Sequence, residues 1–281
     1  MKRINIICSD VGWIYSTFIK EFRKYSEHSI FLNAKSNYDI IYSLPYYEMP
    51  KTKHINKPIT AWFSHQEQKT PLKEKFISSG KAVDFAFSQS KKYADLLKDN
   101  GVKNVVQIMP GVDLEKFWFK TKPAPNRKKL VVGYIGRQYT SSNRKNPRLL
   151  DKISKLPFID FKTTGGSIDP NRIPAFYDSL DLIVSPALIE GGAMCITEGL
   201  SMGKPVLCYE SVGVADEFDF GVIKVPYNNE QAFLNRIENF FKGREYIGWY
   251  EETQRLKARD QVKHLTWKNF VKTHDEVWNK L

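Results

Sequence analysis

Cysteine and long apolar runs are both scarce in this sequence of 281 residues. Its three cysteines, Cys8, Cys195 and Cys208, have no metal-ligand spacing, and their number is odd. We therefore expect reduced thiols in a cytoplasmic protein. No apolar run approaches the roughly 18 residues that a membrane-spanning helix needs, so no such helix is predicted. The length is sufficient for two modest domains, each with its own core.

Acidic pairs of the kind that hold divalent cations are also missing. The sequence has no Asp-x-Asp pair and no cluster of His, Asp and Glu at metal-ligand spacing. We therefore predict no metal site. The negative charge of a bound substrate would then be met by basic side chains and backbone amides.

Acidic residues are too few to balance the basic ones, and the net charge is +12. Much of the excess lies between Lys51 and Lys81, where only Glu67 and Glu74 oppose seven lysines, at positions 51, 53, 57, 69, 73, 75 and 81. A basic first half favours a polyanionic partner, such as nucleic acid or an anionic membrane face. The alternative is a solubilising lysine surface, and charge alone does not decide between the two.

Short apolar runs alternate with amphipathic stretches along the whole chain, which predicts an α/β protein with mainly parallel sheets. We predict two doubly wound Rossmann-like domains that face each other across a cleft, where ligands bind at the carboxyl ends of the strands. A polar segment with two prolines, 120–129, predicts a linker. The predicted ranges are 1–120 for the first domain, 121–265 for the second, and 266–281 for a C-terminal helix that packs back on the first.

Two carboxylates, Glu190 and Glu198, stand eight positions apart in the segment 186–205. A Gly191-Gly192 pair follows the first of them, and a Gly203-Lys204-Pro205 turn closes the segment. With the apolar runs on either side, this pattern predicts a strand, a glycine-rich turn, a short helix and a second strand. Amides at a helix N-terminus bind anions, so the segment predicts a nucleotide site with two placed carboxylates.

This segment belongs to an ordered set of matches to a known family. Glu190 and Glu198 with the following Gly-Lys-Pro-Val are similar to a signature of two glutamates that leads into a Gly-x-Pro-Val strand. The matches upstream are, in order, Met109 to Phe117, Gly136-Arg137, Lys145-Asn146 and 181–186. On this set, which covers 109–206, the chain resembles the retaining glycosyltransferases with two Rossmann domains (the B-type fold), group 1 or family four.

The resemblance implies roles for residues of the second domain, which would bind the nucleotide-sugar donor. Arg137 and Lys145 would stabilise the negative charge that grows on the departing diphosphate, and Arg144 is an alternative to Lys145. Glu190 would hold the transferred sugar, and Glu198 the ribose hydroxyls. The predicted catalytic residues are thus Arg137, Lys145 and Glu190. The predicted donor-binding residues are Gly136, Gly165, Gly166, Gly191, Gly192, Ala193, Met194 and Glu198.

Several of these residues keep a structural alternative. Gly165 and Gly166 would pack against the nucleotide, or form a plain turn at the end of a strand. In the first domain, which would bind the acceptor, His65 ends a predicted strand where the family often has a histidine near the donor sugar. A structural role for His65 is equally compatible with the sequence. Asp10 and Gly12, at the end of the first strand, are the other predicted acceptor-side residues.

The resemblance predicts a retaining, metal-independent transferase that uses a UDP- or GDP-linked hexose or pentose and no cofactor. The compact size and the charge favour hydroxymethylated cytosine in duplex DNA as the acceptor, bound through the basic first domain. Such a protein would resemble phage DNA-modifying enzymes and would act in the host cytoplasm. The alternatives are a lipid-linked or cell-surface glycan, reached through peripheral membrane contact, and a non-catalytic module that binds nucleotide sugars or nucleic acid.

Overall fold

The computed structural model describes residues 1–12, 14–50, 56–68, 71–120, 126–137, 142–166 and 168–281. They form two compact units, one of Met1–Gly111 with Leu265–Leu281 and one of Val112–His264. The lysines at 51, 53 and 69, on which part of the predicted basic region rests, lie outside the described residues. So do residues 121–125 of the predicted linker.

The first unit is built on a parallel sheet. Its strands are β1 (Arg3–Ile7), β2 (Ser29–Leu32), β3 (Ile40–Ser43), β4 (Ile59–Phe63), β5 (Phe85–Ser88) and β6 (Val105–Gln107). Its first helices are α1 (Ile14–Tyr25), α2 (Leu72–Ala82) and α3 (Lys91–Asp99). The strand order is β2-β1-β3-β4-β5-β6, so the order reverses direction between β1 and β3. Open α/β sheets bind ligands at the carboxyl ends of the strands at such a point.

The second unit has the same design. Its strands are β7 (Leu130–Tyr134), β8 (Ile159–Thr163), β9 (Leu182–Ser185), β10 (Val206–Tyr209) and β11 (Val222–Val225). Its helices are α4 (Pro147–Ser154), α5 (Ile173–Asp178), α6 (Met194–Ser201), α7 (Glu230–Lys242), α8 (Glu245–Gly248) and α9 (Glu252–Asp260). The parallel order β11-β10-β9-β7-β8 reverses between β7 and β9. Both strands are buried along their whole length, as expected for apolar runs inside a parallel sheet.

The last helix, α10 (Trp267–Lys280), belongs to the first unit. Phe270 packs edge-on against Phe18 of α1, with ring centroids 5.0 Å apart. His274 stacks on Phe87 of β5 at 3.9 Å. Burial lowers the pKa of His274 to about 3, so this imidazole is a neutral part of the core. The buried residues of α10 thus join it to α1 and to the sheet of the first unit.

Two parallel-sheet Rossmann-like α/β domains are present, so the predicted fold class is confirmed. Helices α8 and α9 were not predicted. Residues 112–120, which the sequence placed in the first domain, belong to the second unit. There Arg259 of α9 donates to the carbonyl oxygens of Leu114 and Phe117, and Arg255 donates to that of Lys120 at 3.0 Å.

Within the described ranges, no helix is both long enough and apolar enough to cross a bilayer.

Candidate functional site

Strand β9 is followed by the turn and by the helix, α6, that the sequence predicts. The carbonyl oxygen of Glu190 accepts a hydrogen bond from the Gly213 amide at 2.9 Å, which holds the turn from one side. The Leu188 amide donates to the carbonyl oxygen of Arg144 at 2.8 Å, which holds it from the other. Ala193 is the N-cap of α6, and its methyl group cannot accept hydrogen bonds from the first turn as a polar cap would.

The carboxylate of Glu190 lies against two cations. Its Oε2 accepts from the Arg144 guanidinium at 3.3 Å and also contacts the Lys145 ammonium. Arg144 makes a second bond, to the carbonyl oxygen of Ile189, at 3.3 Å. All three charged side chains are largely buried, with 8% of Glu190, 13% of Arg144 and 18% of Lys145 exposed. The structure therefore brings Lys145, its predicted alternative Arg144, and Glu190 into one ion-pair group.

The Glu190 carboxylate of this group lies in the turn that leads into α6. Two cations, Arg144 and Lys145, share it. The amide ends of helices carry a partial positive charge and favour anions. Cationic side chains and helix N-terminal amides are groups that bind anions in proteins.

Asn146 stands at the junction between the short turn that carries Lys145 and helix α4. It is 5% exposed and has a left-handed backbone, with φ of 51°. Its side-chain oxygen accepts from the Leu149 amide at 3.3 Å, which caps α4. The short 3-10 turn Asn143–Lys145 therefore ends at Asn146, and α4 begins at Pro147.

Gly136 and Arg137 follow β7, next to the loop after β8. The Gly136 amide donates to Thr164 Oγ1 at 3.2 Å, and the Tyr134 hydroxyl donates to the carbonyl oxygen of Arg137 at 3.1 Å. Gly165 and Gly166 have φ of 58° and 83°, the left-handed region that favours glycine. Strand β7 lies between β8 and β9 in the parallel sheet, so the loops after β7 and β8 and the Glu190 turn after β9 all follow the carboxyl ends of neighbouring strands.

Glu198 has a different environment from Glu190. It lies half-buried on α6, and its Oε2 accepts a hydrogen bond from the Tyr177 hydroxyl at 2.6 Å. Burial raises the pKa of Glu198 to about 7, while the Tyr177 bond and the charge of Lys116 act to lower it. The two glutamates therefore differ in chemistry: Glu190 is paired with cations, and Glu198 titrates near neutral pH.

The acceptor-side residues predicted for the first unit lie at the carboxyl ends of its strands. Asp10 follows β1, and its carboxylate accepts from the Gly12 amide at 3.1 Å. His65 follows β4 and lies between Ser64 and Glu67, with its ring nitrogens 3.0 Å from an oxygen of each. These contacts give both Asp10 and His65 local partners.

Sequence reasoning did not single out Tyr177 or the role of the two α9 arginines. Tyr177 occupies an apolar helix position, and only its contact with Glu198 distinguishes it from an ordinary core residue. Lys116 lies in the segment matched to the family but carried no assigned role. No described residues form a group of three or more His, Cys, Asp or Glu side chains that could hold a metal ion.

Comparison with known proteins identifies the family of this chain. A family model described as glycosyl transferases group 1 matches residues 92–262. No curated protein sequence matches the chain.

Solved structures share the fold at low sequence identity. The HepE protein of Anabaena, in complex with UDP-glucose, is 13% identical, with a TM-score of 0.77 and 100% of both chains covered. The sucrose-phosphate synthase of Thermosynechococcus elongatus is 13% identical, with a TM-score of 0.75 over 100% of this chain and 99% of that one. A glycosyltransferase from Rickettsia africae is 14% identical, with a TM-score of 0.65 over 99% of this chain and 98% of that one.

Proposed function

Since this chain belongs to the group 1 glycosyl transferases, we propose that it moves a sugar from a nucleoside diphosphate sugar to an acceptor hydroxyl with retention at the anomeric carbon. The observation that carries the proposal is the ion-pair group of Glu190, Arg144 and Lys145 beside the N-terminus of α6. Cations and the amides of a helix N-terminus both favour a bound anion, so their proximity supports a diphosphate site here.

The diphosphate would bind at this group. Lys145 would turn toward the phosphate oxygens, Arg137 would approach from the end of β7, and amides from Gly191 to Met194 would donate to the same oxygens. Negative charge on the leaving diphosphate grows in the transition state, so cations fixed there lower the barrier. In this proposal these groups meet the charge without a metal ion.

The nucleoside and the sugar would bind on either side of the diphosphate. Glu198 would accept the ribose hydroxyls, and the loop of Gly165 and Gly166 would pack against the base. Glu190 would hold the hydroxyls of the transferred sugar, since its carboxylate keeps acceptor capacity when a cation moves to the phosphate. The UDP-glucose complex of the HepE protein, which has the same fold, supports a UDP-sugar as the first donor to test.

For the acceptor we propose hydroxymethylcytosine in duplex DNA. The net charge of +12 supports a polyanionic acceptor, and a buried base would have to be extruded from the stack to present its hydroxyl. The lipid-linked glycan is the alternative that the same experiment would reveal.

The test is transfer from a panel of UDP- and GDP-sugars to hydroxymethylcytosine DNA, unmodified DNA and a lipid-linked glycan. We expect nucleoside diphosphate release with one donor, a mass gain of one sugar on the modified DNA only, and the same rate in EDTA. Activity should fall steeply with salt, since lysines that contact phosphates displace counterions. Transfer to the glycan alone would contradict the DNA acceptor, and no release with any donor and acceptor would contradict the transferase.

A further inference from the structure

A buried tyrosine hydroxyl holds the carboxylate that the proposed function assigns to the donor ribose. Tyr177 of α5 is 0% exposed, and its hydroxyl donates to Oε2 of Glu198 on α6 at 2.6 Å. The ring of Phe117 packs edge-on against Tyr177, with centroids 5.8 Å apart. Packing therefore fixes the position of the hydroxyl, and the hydroxyl in turn fixes one oxygen of the carboxylate.

We propose that Tyr177 is a positioning residue of the nucleotide site, which keeps Glu198 ionised and oriented for the ribose hydroxyls. This inference rests on the proposed function, because it requires Glu198 to bind the ribose. An ionised carboxylate accepts stronger hydrogen bonds than a neutral acid. A protonated carboxyl also loses acceptor capacity to its own proton.

The surroundings of Glu198 make its charge depend on this bond. Burial raises the pKa of Glu198 to about 7, and the Tyr177 hydrogen bond is the first of the two influences that lower it; the other is Lys116 from segment 112–120. Burial raises the pKa of Tyr177 well above its ordinary value, so the phenol stays a donor across the working pH range. Loss of the hydroxyl should therefore raise the pKa of Glu198 further.

Among the described residues, the thiols of α6 and β10 and the guanidinium groups of α9 do not take the place of Tyr177. Burial raises the pKa of two nearby thiols, Cys195 in the first turn of α6 and Cys208 of β10. Both thiols are therefore neutral near pH 7. From α9, the guanidinium groups of Arg255 and Arg259 donate to the carbonyl oxygens of Met202 and Ser201, at the other end of the helix.

The experiment measures the affinity of wild type and Tyr177→Phe for UDP and for GDP by calorimetry between pH 6 and pH 9. The nucleotide that wild type binds more tightly is then used throughout. If loss of the hydroxyl raises the pKa of Glu198 by roughly one unit, Tyr177→Phe should bind about tenfold more weakly than wild type at pH 6, about fivefold more weakly at pH 7, and nearly as tightly at pH 9. A purely structural role predicts an equal loss at every pH, and that result would overturn the proposal.

Tyr250 provides a matched control in the same unit. Its hydroxyl also donates to a carboxylate, that of Asp181, at 2.6 Å. Asp181 is 2% exposed and precedes β9, so it lies at the amino ends of the strands, opposite the candidate site. Tyr250→Phe removes the same kind of bond and should leave the pH profile of nucleotide affinity unchanged.

A double variant separates the inference from the proposed function. In a Glu198→Gln background nothing titrates at this position, so adding Tyr177→Phe should cost little further affinity. An additive loss would contradict a role through Glu198. The double variant also serves if Tyr177→Phe alone does not fold, because it carries no unpaired carboxyl at position 198.

The proposed ribose role fails if wild type binds neither nucleotide, or if Glu198→Gln binds as tightly as wild type. If Glu198→Gln weakens binding but Tyr177→Phe does not change the pH dependence of nucleotide affinity, the ribose role stands and only the role of Tyr177 is contradicted.

Discussion

Replacing Lys145 by alanine should lower kcat for sugar transfer by about 10²- to 10³-fold, the usual effect of losing one preplaced charge-stabilising group. Lys145 contacts Glu190 and is held by the sharp junction at Asn146. In the proposed reaction its ammonium faces the diphosphate, whose charge grows as the sugar departs. The loss should therefore be larger in kcat than in the affinity for UDP or GDP, because the transition state carries more of this charge than the bound donor.

Lys152→Ala is the matched control. Lys152 of α4 also pairs with a glutamate, Glu230, but this pair is more exposed and does not involve the Glu190 carboxylate. We expect kcat within about twofold of wild type, because exposed ion pairs contribute little. If Lys145→Ala kept activity within threefold of wild type, the diphosphate charge would have to be met elsewhere.

Replacing Arg259 by methionine should lower the free energy of unfolding by about 3 kcal/mol, since buried carbonyl groups would lose charged donors. Arg259 is 9% exposed and donates to the carbonyl oxygens of Leu114, Phe117 and Ser201. Its guanidinium also lies 4.1 Å from the ring centroid of Trp118. Urea unfolding monitored by circular dichroism measures the change.

Arg236→Met tests whether burial, rather than arginine itself, carries this effect. Arg236 makes two bonds to the carboxylate of Glu245, at 2.9 and 2.7 Å, on an exposed face of the second unit. The expected loss is below about 1 kcal/mol. A loss below about 1 kcal/mol for both variants would contradict the predicted contribution of the buried bonds of Arg259.

The fold was predictable where the sequence has strong apolar periodicity. The strands β9 and β10 and helix α6 lie where the apolar runs and the glycine turn placed them. Helix α9 was missed because it has no apolar face to recognise: its buried residues are Arg255, Ala258 and Arg259. Both arginines are buried, with their guanidinium groups bonded to carbonyl oxygens. In the sequence, however, a helix with charged residues at these positions has the pattern of an exposed helix.

The sequence located the candidate segment but did not indicate the contacts that its side chains make. The spacing of Glu190 and Glu198 located the segment, but it gave no sign that Lys145, 45 positions before Glu190, would contact that carboxylate. The bond of Tyr177 to Glu198 spans 21 positions and joins two helices. Such pairs depend on how elements pack, and neither periodicity nor local spacing encodes them.

A crystal structure with UDP, or with GDP if it binds more tightly, tests the donor site most directly. We predict that the diphosphate lies within hydrogen-bond distance of Lys145 and of amides between Gly191 and Met194. The ribose hydroxyls should donate to Glu198, whose contact with Tyr177 should persist. A nucleotide bound in any other place, with the pair of Lys145 and Glu190 undisturbed and Glu198 out of reach of the ribose, would contradict the proposed site.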